Sequence, residues 1–372
     1  MSRAAVFLAV LAAAISAAVE ASAAPLVHAR AYLVSNPATG EILAARAPDL
    51  RVPVASITKL MTVYVALQHL GLDQVVTVSA PASAVGESSI YLRSGERMSV
   101  RDLVAAALVQ SANDAADALA DAAAGGDRAR FVAWMNAEAR RLGLEHTHFA
   151  RPDGLDTRGH LSTARDVTRL ARAVMRLEVV REDVALRETT ISGGRVLTTW
   201  NDLLGVFPGV VGVKTGHTGG AGWCEVALVR RPPLSLYATI LGSPAREVRN
   251  RDLAALLRFG LSSYQTATVV PAGEPLAEVA TGYGETVAVA APSALTVPIR
   301  VARPVVEKLV LPGRLELPVS RGQYVGEVRV YSNGKLVGKR SLLALEAVSK
   351  PNLLGKVGWY GQRTIDNLFG WM

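Results

Sequence analysis

Pro53-Val54-Ala55-Ser56-Ile57-Thr58-Lys59-Leu60-Met61-Thr62 opens an apolar segment in which Leu60, Val63, Tyr64 and Leu67 recur at helical spacing and which Gly71 closes. The pattern predicts a helix from Ser56 to about Leu70. It places Ser56 and Lys59 on one face, one turn apart. A serine hydroxyl is a weak nucleophile and needs an adjacent base, and a lysine amine is a base only when burial strips its proton. Two further short runs follow, Ser111-Ala112-Asn113 and Lys214-Thr215-Gly216. Each is weak alone, since S-x-x-K is expected about once by chance in a chain this long. A second copy, Ser332-Asn333-Gly334-Lys335, falls on a predicted hairpin turn where nothing would desolvate its lysine.

The placement of lysine separates the first copy from chance. Residues 1–300 hold two lysines, Lys59 and Lys214, and both lie in these runs. Every other cation in that stretch is arginine or histidine. Arginine does not give up its proton in a protein, whereas a buried lysine does. Lysine is therefore kept where a removable proton is needed.

The ordered set S-x-x-K, S-x-N, K-T-G is the known signature of penicillin-binding proteins and class A β-lactamases. Across residues 30–260 the chain resembles the low-molecular-weight penicillin-binding proteins, the serine-type D-alanyl-D-alanine carboxypeptidases. Ser111-Ala112-Asn113-Asp114-Ala115-Ala116, Lys214-Thr215-Gly216-His217-Thr218, Phe131 to Asn136 and Leu142-Gly143-Leu144 extend the match. The resemblance implies removal of the terminal D-alanine from peptidoglycan pentapeptide stems through a Ser56 acyl-enzyme, and acylation by penicillin. Lys59 would take the Ser56 proton, and Ser111 would relay a proton to the leaving D-alanine. Asn113 would hold a substrate amide. Lys214 and Thr215 would bind the terminal carboxylate. Gly216 would leave room for a substrate lying along its strand. The backbone N–H groups of Ser56 and His217 would form the oxyanion hole. Arg246 matches a family arginine that helps bind the carboxylate. Two departures stand out: Val211, where an acidic residue is frequent, and Trp200, where a basic one is common. A D,D-endopeptidase, a β-lactamase and a non-catalytic wall-binding scaffold are the alternatives. Between Asn113 and Lys214 there is no E-x-x-x-N arrangement of the kind class A β-lactamases use to place a deacylating water.

Outward from the motifs, strand patterns at Ala31–Val34, Glu41–Ala45, Trp223–Val229 and Leu234–Leu241 flank helical patterns at Val100–Val109, Asp114–Ala124, Phe131–Leu142 and Ser162–Leu177. A last helix is predicted over Arg249–Leu261. The expected fold is an α/β catalytic domain of the β-lactamase/transpeptidase-like type, a sheet with a helical subdomain, over residues 24–262. Residues 263–346 turn rich in Val, Pro and Gly and read as a small all-β domain, with Asn333-Gly334 as its clearest hairpin signal.

The two ends differ from both domains. Arg3, the apolar run Ala4–Val19 and Ala21-Ser22-Ala23 read as a signal peptide over residues 1–23. Residues 347–372 set Leu354, Val357, Ile365, Leu368 and Phe369 near one helical face, beside Trp359, Tyr360 and Trp371 and with Lys350, Lys356 and Arg363. That mixture is expected of an amphipathic tail on a membrane surface. An exported protein on the outer face of the cytoplasmic membrane follows from both ends.

Composition narrows the partners. The net charge of +8 over 372 residues suits an anionic partner such as peptidoglycan. Basic residues do not interleave with aromatics, so nucleic acid is not expected. There is no phosphate-binding G-x-x-x-x-G-K loop. His146-Thr147-His148 lacks a third ligand at metal spacing, and neither metal nor organic cofactor is implied. The single cysteine, Cys224, reads as a buried small hydrophobe.

Overall fold

The structure is a computed structural model that describes residues 10–11, 24–301, 303–352 and 357. The expected leader, apart from Val10–Leu11, and most of the expected tail lie outside the described residues. The chain divides into two compact units that part between Ser263 and Tyr264.

The first unit is built on a five-stranded antiparallel sheet. Its strands run in the order Ile42–Arg46, Ala31–Ser35, Leu234–Ser243, Gly222–Arg231, Val210–Thr218. The middle strands are apolar on both faces because helices cover both. On one face the Thr168 hydroxyl of helix Ala164–Val174 lies 2.6 Å from the Thr239 hydroxyl. On the other, helix Arg246–Ser262 brings Gly260 so near the sheet that a Cβ there would sit 2.8 Å from Leu236. Leu236 and Thr239 differ in parity along one strand, so they face opposite ways. Beside the sheet, helix Lys59–Ala66 is the buried centre of a helical subdomain. Helices Asn113–Ala124, Arg128–Arg141 and Ala164–Val174 surround it. Alanines 115, 116, 118 and 120 are buried, and their small side chains let these helices approach closely. This is the transpeptidase-like fold, with helices and sheet in one unit, that the sequence leads one to expect.

Two helices depart from the periodicity, both at the motifs. The segment predicted to be α-helical from Ser56 begins as a 3₁₀ turn, Ala55–Thr58, and the α-helix starts only at Lys59 and ends at Ala66. In a 3₁₀ turn residues i and i+3 eclipse, so Lys59 stands directly over Ser56. The helix predicted over Val100–Val109 is α only to Ala105. Ala106–Gln110 form a π turn, and Ser111 follows in the left-handed region at φ 66°. A π insertion adds a residue to the turn and re-aims what comes next. Here that is Ser111.

The second unit is all β. Strands Val306–Val310, Tyr324–Ser332, Lys335–Ala344, Thr286–Ala290 and Pro275–Ala280 form one sheet, which Val10–Leu11 join at the Val306–Val310 edge. Tyr264–Val270 pairs separately with Leu295–Arg300. Its core is aliphatic, with Val287, Val289, Val328, Val330 and Leu342 all fully buried. Asn333 and Gly334 both have positive φ, 49° and 70°, which is the two-residue turn their sequence favours. The second S-x-x-K copy therefore spans a hairpin, with Ser332 paired to Lys335.

Candidate active site

The fold gathers all three motifs on one cleft of about 390 Å³. Ser56, Ser111, Thr215, Gly216 and His217 line it, together with Glu87, Ser88, Trp200, Trp223 and Arg249. Ser56 comes from the 3₁₀ turn, Ser111 from the end of the π turn, and the last motif from strand Val210–Thr218. That strand is the sheet's outermost and pairs, among the described residues, only with Gly222–Arg231. Its free edge is open to an added strand.

Lys59 Nζ lies 2.7 Å from Ser56 Oγ, 2.7 Å from Asn113 Oδ1 and 2.7 Å from the Asp153 carbonyl. A neutral amine has two N–H donors and one lone pair. The amide and carbonyl oxygens accept only, so they take the two donors and leave the lone pair for the Ser56 hydroxyl. Burial pushes the Lys59 pKa down to about 8, opposed by the charges of Asp153, Asp117, Asp114 and Glu87. Lys214 is also fully buried. Its Nζ donates to Ser111 Oγ at 2.9 Å and to its own neighbour's carbonyl, Thr215, at 3.1 Å. Burial first, and then the charge of Lys59, lowers its pKa well below the ordinary lysine value.

The loop 150–160 holds this arrangement from behind. Gly154, at φ 88°, packs its Cα against the Ala55 carbonyl, where no side chain would fit. Thr62 Oγ1 donates to the Pro152 carbonyl at 2.5 Å, and Thr58 Oγ1 meets His160 Nε2 at 2.8 Å. Burial lowers the His160 pKa to about 4, so it is neutral and serves as a structural hydrogen-bonding group. Asp156 accepts from Thr218 Oγ1 at 2.7 Å and from the Gly220 N–H at 2.8 Å, which ties the loop to the strand of the third motif.

Comparison with known proteins agrees with the geometry. The family model described as D-alanyl-D-alanine carboxypeptidase matches residues 18–245. The chain belongs to the D-alanyl-D-alanine carboxypeptidase family. A second model, described as the penicillin-binding protein 5 C-terminal domain, matches residues 264–350. The chain is 32% identical over 355 residues to D-alanyl-D-alanine carboxypeptidase DacD of Salmonella typhimurium, covering 91% of each chain. Among solved structures, penicillin-binding protein 5 of Haemophilus influenzae superposes with a TM-score of 0.65 at 29% identity, covering 88% of this chain and 100% of that one. Penicillin-binding protein D2 of Listeria monocytogenes, in its ampicillin-bound form, gives 0.58 at 32% identity over 63% of this chain and 98% of that one.

Within this D-alanyl-D-alanine carboxypeptidase family chain, three residues expected to touch substrate have protein partners in this structure. Asn113 is buried with its amide in use: Oδ1 takes Lys59, and Nδ2 donates to the Gly86 carbonyl at 2.8 Å. Lys214 does not line the cleft, because its amine turns inward to Ser111. Arg246 does not line it either. Its guanidinium grips Asp202 through Nε at 2.7 Å and Nη2 at 2.5 Å, and lies 5.2 Å from the Trp200 ring centroid. Gly216 has a reason besides room for substrate: a Cβ there would lie 2.7 Å from the Val54 carbonyl oxygen and 3.1 Å from Ser56 N. Sequence reading missed Arg249 and Trp223. Arg249 follows Arg246 by three residues on one helix, and that spacing was its only signal.

Proposed function

We propose that the protein is a serine-type D-alanyl-D-alanine carboxypeptidase that removes the terminal D-alanine from peptidoglycan pentapeptide stems. The observation that carries this is the Ser56–Lys59 pair, a hydroxyl 2.7 Å from a fully buried amine whose remaining partners are both acceptors. Neutral Lys59 takes the Ser56 proton as Oγ attacks the carbonyl of the penultimate D-alanine. The oxyanion that forms is met by the N–H groups of Ser56 and His217. When the C–N bond breaks, the leaving amine takes its proton from Ser111, whose hydroxyl Lys214 holds and resupplies. Water then attacks the ester, and Ser56 recovers its proton. Thr215 offers a hydroxyl to the substrate's carboxylate.

Penicillin acylates Ser56 by the same first step, and the segment between Asn113 and Lys214 carries no E-x-x-x-N arrangement to place a deacylating water. Likeness to a penicillin-binding protein solved in its ampicillin-bound form supports that reading. The leader and tail support an exported enzyme, peripheral to the membrane and facing the wall. No described helix is long and apolar enough to cross a membrane. The test is labelling with a fluorescent penicillin alongside assay of D-alanine release from a pentapeptide. Wild type takes up one label and releases D-alanine, and Ser56→Ala does neither. A folded Ser56→Ala protein that still releases D-alanine ends the assignment.

A further inference from the structure

A second cavity, of about 350 Å³, adjoins the cleft. His217 and Trp223 line both, with their rings stacked 4.0 Å between centroids as the divide. Gly219, Gly220 and Gly222, in the turn after the third motif, leave much of its wall as bare backbone. Gly242 and Ser243 bring in the end of strand Leu234–Ser243, and Arg30 stands beside them. Among the described residues no acidic side chain lines it. Asp156, which holds the same turn through Thr218 Oγ1 and the Gly220 N–H, stays outside.

Two side chains in this cavity lack a partner. Arg30 is anchored at its root, where its N–H donates to the Leu241 carbonyl at 2.9 Å. Its stem runs so close along Gly242, at φ 72°, that a Cβ there would lie 2.5 Å from Cδ and 2.7 Å from Cγ. The guanidinium at the end of this pinned stem is exposed and has neither hydrogen bond nor ion pair among the described residues. Ser243 is the independent observation. It is 1% exposed, and its hydroxyl has no hydrogen-bond partner among the described residues. A buried hydroxyl is costly unless it is hydrogen-bonded. A guanidinium only donates, and a hydroxyl can donate. A carboxylate accepts from both, and its planar fork matches that of arginine.

The cavity lies where an extended substrate would continue. A peptide whose terminal carboxylate meets Thr215 and whose scissile carbonyl meets the His217 N–H runs antiparallel to strand Val210–Thr218. The residue before the two D-alanines then falls beside Thr218 to Gly220, about 7 Å further along. Resting on the carboxypeptidase reading above, we propose that this cavity is a subsite for a carboxylate on the side chain of that residue. Arg30 and Ser243 bind it, and the enzyme prefers stems that carry a diamino diacid there over stems that carry lysine.

The experiment measures D-alanine release from four peptides that all end in D-alanyl-D-alanine. The preceding residue is meso-diaminopimelate, its side-chain carboxamide or lysine. The fourth peptide keeps diaminopimelate and replaces the γ-linked glutamate before it by isoglutamine. Each is assayed with wild type, Arg30→Gln, Arg30→Glu and Ser243→Ala. Wild type should favour the first peptide over the carboxamide and lysine peptides by roughly fivefold in kcat/KM, the size of one exposed ion pair. The preference should shrink as salt rises. Arg30→Gln removes it through a loss confined to the peptides that carry the side-chain carboxylate, Arg30→Glu reverses it toward lysine, and Ser243→Ala weakens it. The isoglutamine peptide behaves like the first. Acylation by benzylpenicillin, followed in each variant, reports whether the Ser56–Lys59 pair is intact. An equal loss on every peptide in Arg30→Gln, with a parallel fall in acylation, is the mark of a merely structural residue and overturns the proposal. So does a preference that survives Arg30→Glu, or one that follows the glutamate carboxylate instead. Wild type that cleaves all four peptides at equal rates overturns this proposal alone. Wild type that cleaves none overturns the carboxypeptidase reading itself and this proposal with it.

Discussion

Lys59 balances two opposing effects, burial that favours the amine and a ring of carboxylates that favours the ammonium. The balance falls at about 8. Acylation by penicillin should therefore rise with pH, with a midpoint near that value, because the reactive form is the deprotonated one. Asp117 is the neighbour best suited to a test. It follows Asn113 by one helical turn, is fully buried, and is paired with Arg128 Nη1 at 2.6 Å without a directed hydrogen bond to either oxygen. Burial and then the charge of Asp153 raise its own pKa to about 7, so at the Lys59 midpoint it is largely ionised. Removing that negative charge makes the Lys59 ammonium less favourable and lowers its pKa. Asp117→Asn should shift the midpoint of the acylation profile to lower pH and speed acylation at pH 7 relative to pH 9. Stopped-flow rates between pH 5.5 and 9.5 decide it. An unmoved midpoint in a variant with wild-type melting would show that Asp117 does not reach Lys59. At this scale the sequence was most informative where chemistry restricts the choice of residue. The two lysines of the first 300 residues stood out because arginine does not give up its proton in a protein. The Asp153 carbonyl that holds Lys59 carried no side-chain signal, and Arg249 looked like any helix arginine until the fold turned it toward the cleft.

The elements that matter most are the ones whose geometry departs from regular periodicity. Hydrophobic spacing located the helices and strands because it reports which face is buried. It could not report that Ser56 sits in a 3₁₀ turn or that a π turn precedes Ser111, since both keep the same residues buried. These irregularities are local backbone choices imposed by tertiary contacts, and they aim the two serines. The contact between the 3₁₀ turn and strand Val210–Thr218 is the tightest of these. Gly216 allows it, because a methyl group at that position would press on the Val54 carbonyl and the Ser56 amide. Gly216→Ala should push strand and turn apart and pull the Ser56 N–H from the oxyanion position. Displacements of about 1 Å at a reacting centre cost on the order of 10²-fold in rate. Acylation by penicillin should fall by at least roughly tenfold, while Lys59 and Ser56 stay paired and the acid limb of the pH profile keeps its midpoint. Wild-type acylation kinetics in this variant would mean that the turn and strand have slack the packing does not show.

At the scale of the whole molecule, the two units divide labour by composition. The first carries the three ordered motifs and both lysines of residues 1–300. The residues that line the cleft, from Ser56 to Arg249, belong to the first unit, and the second is an aliphatic β unit. Its fold was legible as strands and one hairpin, but not its strand order, because short Val- and Leu-rich runs pair in many registers. The expected tail, residues 347–372, follows it, and among the described residues its one strand-like pairing is that of Val348 with Val319. Beyond it come Trp359, Tyr360, Phe369 and Trp371, rings of the kind that settle at a membrane–water interface, and the cations Lys356 and Arg363. Each cation contributes on the order of 1 kcal/mol near an anionic surface, and the apolar face adds to it. Deleting residues 353–372 leaves the Val319–Val348 pairing and every cleft residue in place. The truncated enzyme should therefore move from the membrane fraction to the soluble one, while its kcat/KM on a soluble pentapeptide is unchanged. Fractionation of cells expressing each form, with activity measured in both fractions, tests this. A truncated protein that stays with the membrane would place the anchor elsewhere, in the apolar run near the N-terminus. A truncated protein that loses activity on the soluble peptide would make the tail a part of the fold, with its aromatic rings buried against protein instead of lipid.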